Sequence, residues 1–228
     1  MPIKAVVFDL DGTVVKFNLD YKAVRAEAIE FLTKQGFPRS IFSINESVFE
    51  ALKKMEIHMR NHGKREKEIS KHREAVLSIV EEHEIEAAHS TNLLPGILDT
   101  LKTLREMGLK LALFTVNGKK STSHILRALR IRRFFDKVVT RDSVSMVKPN
   151  PVHLEAALKK LRVKPEEAVV VGDSVWDMNS ARELKMVAIG VPTGFSAPEE
   201  LSRAGATYLI SAVDLPTVIR QLNKNLEP

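Results

Sequence analysis

The chain has 228 residues, of which 44% are hydrophobic and 28% are charged, and its 35 basic and 29 acidic side chains give a formal net charge of +6. No apolar run approaches the ~18–20 residues that a membrane span requires, and no small-residue cleavage site follows the N-terminus, so a soluble, cytoplasmic protein is expected. Cysteine is absent, which excludes disulfides, thiolate metal sites and cysteine nucleophiles.

The first part of the chain combines one predicted strand with a block of predicted helices. A β-branched run predicts a strand over 3–8, and it ends in the turn-forming sequence Asp9-Leu10-Asp11-Gly12. Residues from about 21 to 89 show only helical patterning, which predicts helices over 21–35, 46–60 and 64–86, with Asp20 as the N-cap of the first.

From residue 93 onward, helices and strands alternate. The pattern predicts helices over 97–107, 121–129, 151–161, 176–184, 198–204 and 215–222, and strands over 109–115, 137–140, 168–172, 187–191 and 207–210. Apolar strands separated by helices indicate a parallel sheet covered on both faces. The predicted fold class is therefore α/β, a doubly wound parallel sheet in a Rossmann-like core of residues 1–15 and 93–228. An all-α cap domain is predicted as an insert over 16–92.

Open parallel sheets bind ligands beyond the carboxyl ends of their strands, which directs attention to the loop after the first strand. Asp9 and Asp11 stand two residues apart there, and if the extended conformation continues, their side chains lie on the same side. Two adjacent carboxylates repel each other unless a cation or a shared proton relieves them, and Mg²⁺ is the natural hard cation. The alternative is a polar turn, because Asp-Gly is common in turns.

Three later loops carry further polar residues, each with a structural alternative. Thr115 and Asn117 precede a helix, where a hydroxyl, an amide and backbone N–H groups form an anion cradle, or only a helix cap. Lys148 stands among prolines that restrict the backbone and direct the lysine to a fixed point, unless it is simply solvated. Asp173 and Asp177, four residues apart at a helix start, point to one side or act as caps.

These segments occur in a fixed order: Asp-x-Asp-Gly-Thr, Thr115, Lys148-Pro149 and Gly-Asp-x-x-x-Asp, each after its own strand. The arrangement resembles the haloacid dehalogenase-like superfamily of phosphohydrolases in all four of its signature segments. The likeness covers the whole chain and is greatest to the branch that contains phosphoglycolate phosphatase-like and β-phosphoglucomutase-like proteins. The helical insert resembles that family's cap domain.

The resemblance implies a role for each matching residue. Asp9 is expected to be the nucleophile that forms an aspartyl-phosphate. Asp11 is expected to protonate the leaving oxygen and then to deprotonate the attacking water. Thr115 and Lys148 are expected to hold phosphate oxygens, with Asn117 as a further phosphate or substrate contact.

The same resemblance implies a Mg²⁺ cofactor. Its expected ligands are Asp9, the backbone carbonyl of Asp11 and Asp173, with Asp177 as an outer or alternate ligand. The predicted activity is hydrolysis of a small phosphomonoester such as phosphoglycolate or a sugar phosphate. A sugar phosphomutase of the same superfamily is the alternative enzyme, and a non-catalytic binding module on this fold is the alternative from another class.

The predicted cap contains candidate substrate contacts and several histidines. Tyr21 and Arg25 are predicted substrate contacts, although an ion pair with Glu27 or Glu30 is the favoured explanation of Arg25. A metal site is not expected among the cap histidines, because no His-Glu-x-x-His motif is present. The cap histidines are His58, His62, His72, His83 and His89.

The expected partner is a small phosphorylated metabolite, with no nucleic acid and no membrane. The chain is expected to be a monomer or a homodimer.

Overall fold

The structure is a computed structural model that describes residues 1–16 and 18–224. Phe17 and residues 225–228, which the predicted domain ranges include, lie outside the described residues. The described residues form two compact units, one of residues 1–16 and 90–224 and the other of Asn18–His89. The predicted borders followed residues 15 and 92; among the described residues, the chain changes unit between 16 and 18 and between 89 and 90.

The α/β unit is built on strands that agree closely with the predicted ones. Its described part contains β1 (Ala5–Phe8), β2 (Val15–Lys16), β3 (Asn92–Leu93), β4 (Lys110–Thr115), β5 (Lys137–Thr140), β6 (Ala168–Gly172), β7 (Val187–Gly190) and β8 (Tyr208–Leu209). Six of them form a parallel sheet in the order β5-β4-β1-β6-β7-β8, which confirms the predicted fold class. The antiparallel pair β2–β3 was not predicted, because two-residue strands carry no periodicity.

The helices also follow the predicted order. They are α1 (Tyr21–Lys34), α2 (Val48–Asn61), α3 (Glu66–Ala88), α4 (Ile97–Glu106), α5 (Lys119–Ala128), α6 (Pro151–Leu161), α7 (Val175–Glu183), α8 (Pro198–Ala204) and α9 (Leu215–Lys224). In the part of the chain that the structure describes, no helix combines the length and the apolar character needed to cross a membrane.

The order of the strands brings three loops to one edge of the sheet. From β1 the chain moves outward to β4 and β5, then returns to β6 on the other side of β1. Ligand sites of open parallel sheets lie at such a reversal, beyond the carboxyl ends of the strands. The loops that follow β1, β4 and β6 therefore define the candidate site.

Regular pairing fixes which side chains form the core beneath that edge. Val7 of β1 lies opposite Ala112 of β4 and Val170 of β6, so the three side chains share one face. They are fully buried in one cluster with Leu154 of α6 and Met178 of α7. Burial of a large aliphatic side chain contributes about 1.5–3 kcal/mol, so this cluster holds the strand ends in register.

The helical unit has a separate core between α1, α2 and α3. Leu32, Leu52, Met55 and Val76 are fully buried in it. The predicted N-cap of α1 is confirmed, since Asp20 Oδ1 accepts hydrogen bonds from the second and third backbone N–H groups of that helix at 3.0 Å each.

The histidines of the helical unit make contacts within it. The rings of His58 and His62 stack with centroids 4.1 Å apart, and Phe37 lies 5.6 Å from His58 and 5.5 Å from His72. His83 Nε2 lies 2.7 Å from a carboxylate oxygen of Glu27. Packing and hydrogen bonding within the unit therefore account for these four rings.

Neither acidic residue suggested as a partner of Arg25 forms an ion pair with it. Glu27 contacts His83, and Glu30 forms an ion pair of 2.6 Å with Lys34. The ion pair therefore lacks support as an explanation of Arg25, and its contact with substrate stays a prediction.

Candidate active site

Three aspartates converge where β1 and β6 end. Asp9 directly follows β1, Asp173 directly follows β6, and Asp177 lies in the first turn of α7. One carboxylate oxygen from each residue lies within 4.8 Å of the others, and all three side chains are buried. Pairing of β1 with β6, with Phe8 opposite Val171, explains why residues 164 positions apart meet. The arrangement concentrates negative charge at the carboxyl edge of the sheet.

A buried lysine lies between two of these carboxylates. Lys148 Nζ donates a hydrogen bond to Asp9 Oδ1 and another, of 2.8 Å, to Asp177 Oδ1. The same ammonium lies 4.6 Å from the centre of the Phe114 ring, a favourable cation–π distance. With one positive and three negative side chains, the ionised group has a net charge of −2.

The pKa values show how this charge is balanced. Burial raises the pKa of Asp9 well above its usual value; Lys148 opposes that rise, while the neighbouring carboxylates add to it. Burial also raises the pKa of Asp173, as does the charge of Asp177. Burial alone would lower the pKa of Lys148, but Asp177 and Asp9 outweigh it, and the net shift is upward. Lys148 therefore stays protonated, and full ionisation of the aspartates calls for more positive charge.

The donor set fits a hard divalent cation such as Mg²⁺. Mg²⁺ takes oxygen ligands at about 2.1 Å, so two of its ligands lie at most about 4.2 Å apart. The oxygens of Asp9, Asp173 and Asp177 lie within 4.8 Å of one another, and small side-chain rotations close the difference. Burial and the neighbouring carboxylates raise the pKa of Asp9 and of Asp173. A cation bound between these oxygens would relieve that repulsion.

The loop after β7 encloses Asp173, and sequence reasoning did not identify it. Phe195 N–H donates to Asp173 Oδ2 at 2.6 Å, and Thr13 Oγ1 contacts Oδ1 at 3.4 Å. A Cβ atom on Gly194 would lie 2.0 Å from Asp173 Oδ2, and one on Gly12, where φ is +75°, would lie 2.4 Å from it. Both positions thus require glycine for the backbone to approach this carboxylate.

Asp177 is held by the residue that begins its helix. The N–H and the hydroxyl of Ser174 donate to Asp177 Oδ2 at 3.1 and 2.6 Å. Oδ1 remains directed to Lys148. The predicted helix-cap role and the predicted site role of Asp177 are therefore both visible in the contacts of one side chain.

Thr115 is the last residue of β4, the strand next to β1, and Asn117 lies in the loop that follows it. Asn117 N–H donates to Thr115 Oγ1 at 3.1 Å. Arg141 braces the loop from the end of β5, because its guanidinium donates to the Val116 carbonyl at 3.2 Å and its N–H to the Asn117 carbonyl at 3.3 Å. Asn117 Nδ2 is buried and has no acceptor among the described residues, as expected of a donor that awaits an anion.

The extended conformation does not continue from Asp9 to Asp11, so the condition for their side chains to lie on the same side is not met. β1 ends at Phe8, and the chain then turns, since the N–H groups of Val14 and Val15 both donate to the Leu10 carbonyl at 2.9 Å. The Asp11 carboxylate accordingly lies outside the group of three. Its charge still contributes to the raised pKa of Asp9, so it acts on the site electrostatically.

Comparison with known proteins shows which protein family the sequence matches. The model of the haloacid dehalogenase-like hydrolase family matches residues 3–185. A phosphoglycolate phosphatase of Nitrosospira multiformis is 30% identical over 197 residues, which are 86% of each chain. The pyrophosphatase PpaX of Halalkalibacterium halodurans is 30% identical over 190 residues, 78% of each chain.

Solved structures show the same architecture. The crystal structure of a hydrolase from Pseudomonas syringae matches with a TM-score of 0.66 and 26% identity, covering 96% of this chain and 99% of that one. A haloacid dehalogenase-like family protein of Streptococcus pneumoniae matches with a TM-score of 0.63 at 21% identity, over 95% of this chain and 98% of its own. At that lower identity the likeness concerns the fold.

Proposed function

We propose that this chain, which belongs to the haloacid dehalogenase-like hydrolase family, is a phosphatase that hydrolyses a small phosphomonoester through an aspartyl-phosphate. The observation that carries the proposal is the buried group of Asp9, Asp173 and Asp177, with Lys148 hydrogen-bonded to the first and last of them. Such a group suits phosphoryl transfer, in which catalysis consists mainly of positioning and charge stabilisation.

In the first step, a carboxylate oxygen of Asp9 attacks phosphorus, and the bond from phosphorus to the ester oxygen breaks. Asp11 gives its proton to the leaving oxygen, which departs as an alcohol. In the second step a water attacks the same phosphorus, Asp11 takes the proton from that water, and the bond to Asp9 breaks. Inorganic phosphate leaves, and both aspartates return to their starting states.

The remaining polar residues stabilise the transferring group. Lys148 offsets charge that develops on the phosphoryl oxygens, since its ammonium is fixed beside Asp9. Thr115 and the unsatisfied Nδ2 of Asn117 supply hydrogen bonds to the same oxygens. Lys148 and Thr115 are buried and hydrogen-bonded before substrate binds, and Asn117 is buried beside them, so these groups need little reorganisation during the reaction.

Mg²⁺ is the proposed cofactor. Asp9 and Asp173 would hold it, together with the backbone carbonyl of Asp11, and Asp177 would serve as an outer or alternate ligand. When bound, it neutralises phosphate charge and relieves repulsion among the carboxylates.

The proposed substrate is a small phosphorylated metabolite. Phosphoglycolate is one candidate, because a relative of 30% identity carries the name phosphoglycolate phosphatase. Inorganic pyrophosphate, an anhydride rather than an ester, is the alternative substrate, since another relative of 30% identity is named a pyrophosphatase; its leaving group would be phosphate instead of an alcohol. We further propose that the helical unit Asn18–His89 is a cap domain and that Arg25 contacts the substrate from it.

A metabolite screen tests both the reaction and the substrate. The purified protein is assayed for phosphate release from phosphoglycolate, pyrophosphate, sugar phosphates and p-nitrophenyl phosphate, each with Mg²⁺ and with EDTA. We expect turnover in Mg²⁺ that EDTA abolishes and that Asp9→Asn abolishes, whereas Asp99→Asn, on an exposed acid paired with Lys102, retains it. Turnover by Asp9→Asn equal to the wild type would refute the nucleophile, and activation by a sugar bisphosphate would favour a mutase.

A further inference from the structure

A buried histidine beside the site has no part in the reaction described above. His153 lies in the first turn of α6 and has no exposed surface. It lies five residues after Lys148, at a position that sequence reasoning did not select. Buried polar side chains are costly unless they are hydrogen-bonded, so the partners of this ring identify what it does.

Both ring nitrogens have backbone partners. The N–H of Lys148 lies 3.4 Å from His153 Nδ1, and the carbonyl of Val139, in the edge strand β5, lies 3.3 Å from Nε2. An N–H donor on one side and a carbonyl acceptor on the other require that Nδ1 is unprotonated and that Nε2 carries the proton. The neutral ring thus connects the Lys148 loop to the sheet.

The surroundings keep the ring neutral. Burial lowers the pKa of His153 to about 4, and the positive charge of Lys148 adds to the shift. The ring also packs edge-on against Phe114, with centroids 5.5 Å apart. The face of Phe114 in turn lies 4.6 Å from Lys148 Nζ. His153 therefore contacts the lysine backbone directly and its ammonium through one shared aromatic ring.

We propose that His153 is a positioning residue, whose neutral imidazole fixes the backbone of Lys148 so that the ammonium stays between Asp9 and Asp177. The proposal rests on the proposed function, in which that ammonium stabilises the transferring phosphoryl group. A lysine side chain has a flexible four-carbon stem, so its precision depends on a fixed backbone and on the packing around the stem. Displacement of a catalytic group by about 1 Å can lower a rate by roughly 100-fold.

Three variants separate positioning from simple packing. His153→Phe keeps an aromatic ring but removes both hydrogen bonds, and we expect kcat for p-nitrophenyl phosphate to fall roughly 10- to 100-fold while KM changes less than about twofold. His153→Asn keeps an acceptor at the Nδ1 position and should recover a large part of kcat. Leu158→Val, a buried change in the same helix, is the control for general destabilisation and should retain kcat.

The outcomes are distinct. Equal kcat in wild type and His153→Phe would overturn the proposal, as would equal losses in His153→Phe, His153→Asn and the Leu158→Val control. If the wild type releases no phosphate from any substrate, the proposed function fails instead.

A measurement without turnover decides the state of the ring in either case. Two-bond ¹H–¹⁵N spectra of protein labelled in its seven histidines, with His153 assigned by its loss in His153→Asn, report the tautomer. We expect the neutral Nε2–H form from pH 5 to pH 8. A ring protonated at pH 6, or one with the proton on Nδ1, could not accept the Lys148 N–H and would overturn the proposal.

Discussion

Replacement of Lys148 by methionine tests the charge balance of the site most severely. The lysine side chain is 3% exposed and bonds to carboxylates that are 7% and 0% exposed. Methionine keeps much of the apolar stem that packs on Phe114, but it leaves Asp9 and Asp177 without their shared donor. Breaking a buried ion pair by removal of one partner costs about 3–5 kcal/mol, so the metal-free variant should be less stable by this amount near neutral pH.

The pH dependence of that loss has a definite sign. Loss of the ammonium raises the pKa of Asp9 further, so the folded variant binds protons that the unfolded chain releases. This proton binding raises the free energy of unfolding of the variant at low pH. The contribution is lost as the pH rises through the raised pKa of Asp9. Mg²⁺ should restore part of it, since a ligand at 100 times its Kd contributes about 2.7 kcal/mol.

Urea unfolding at pH 5 and pH 8, in EDTA and in Mg²⁺, measures these terms for wild type and Lys148→Met. Lys102→Met removes an exposed lysine that pairs with Asp99, and it should change stability by less than about 1 kcal/mol. Turnover by Lys148→Met should fall by about 10²–10³. A metal-free variant as stable as the wild type at pH 8, or one with wild-type turnover, would show that Lys148 does not balance the charge of these carboxylates.

Three further changes test other parts of the site. In wild type, Mg²⁺ at 100 times its Kd should raise Tm in thermal unfolding by roughly 5–10 °C over EDTA, and no shift would argue against the cation site. As the pH falls from 6.5 toward 4, the low pKa of His153 means that only the unfolded chain gains its proton, so stability falls by up to about 3 kcal/mol; His153→Phe should lack this part of the titration. Arg25→Ala should raise KM about tenfold with the best substrate of the screen, whereas Lys22→Ala, on the same helix, should not, and equal KM values would exclude the contact.

Local patterns in the sequence were sufficient to predict the fold and to select several residues that the structure places at one edge of the sheet. Apolar strands that end in polar residues predicted Asp9, Thr115 and Asp173 at one edge of the sheet, and pairing of β1 with β4 and β6 brings these strand ends together. The turn after β1 was less predictable, because nothing in the spacing of Asp9 and Asp11 shows where the strand ends.

Contacts between distant segments account for what the sequence did not reveal. Lys148 and Asp9 are 139 positions apart, and no periodicity links a lysine in a proline-rich loop to a strand that far away. The enclosure of Asp173 by Gly194 and Phe195 depends likewise on how the loop after β7 folds back. His153 resembles any polar residue at a helix start until its buried partners are known.

The proposed mechanism depends most on Asp9 as the residue that carries the phosphoryl group. The direct measurement is an acid quench of the Mg²⁺-loaded enzyme during a single turnover of a ³²P-labelled substrate, followed by peptide mapping of the covalent label. We expect a hydroxylamine-sensitive label on Asp9 that appears before phosphate is released and is absent in Asp9→Asn. Release of phosphate with no covalent label, or a label on another residue, would contradict it.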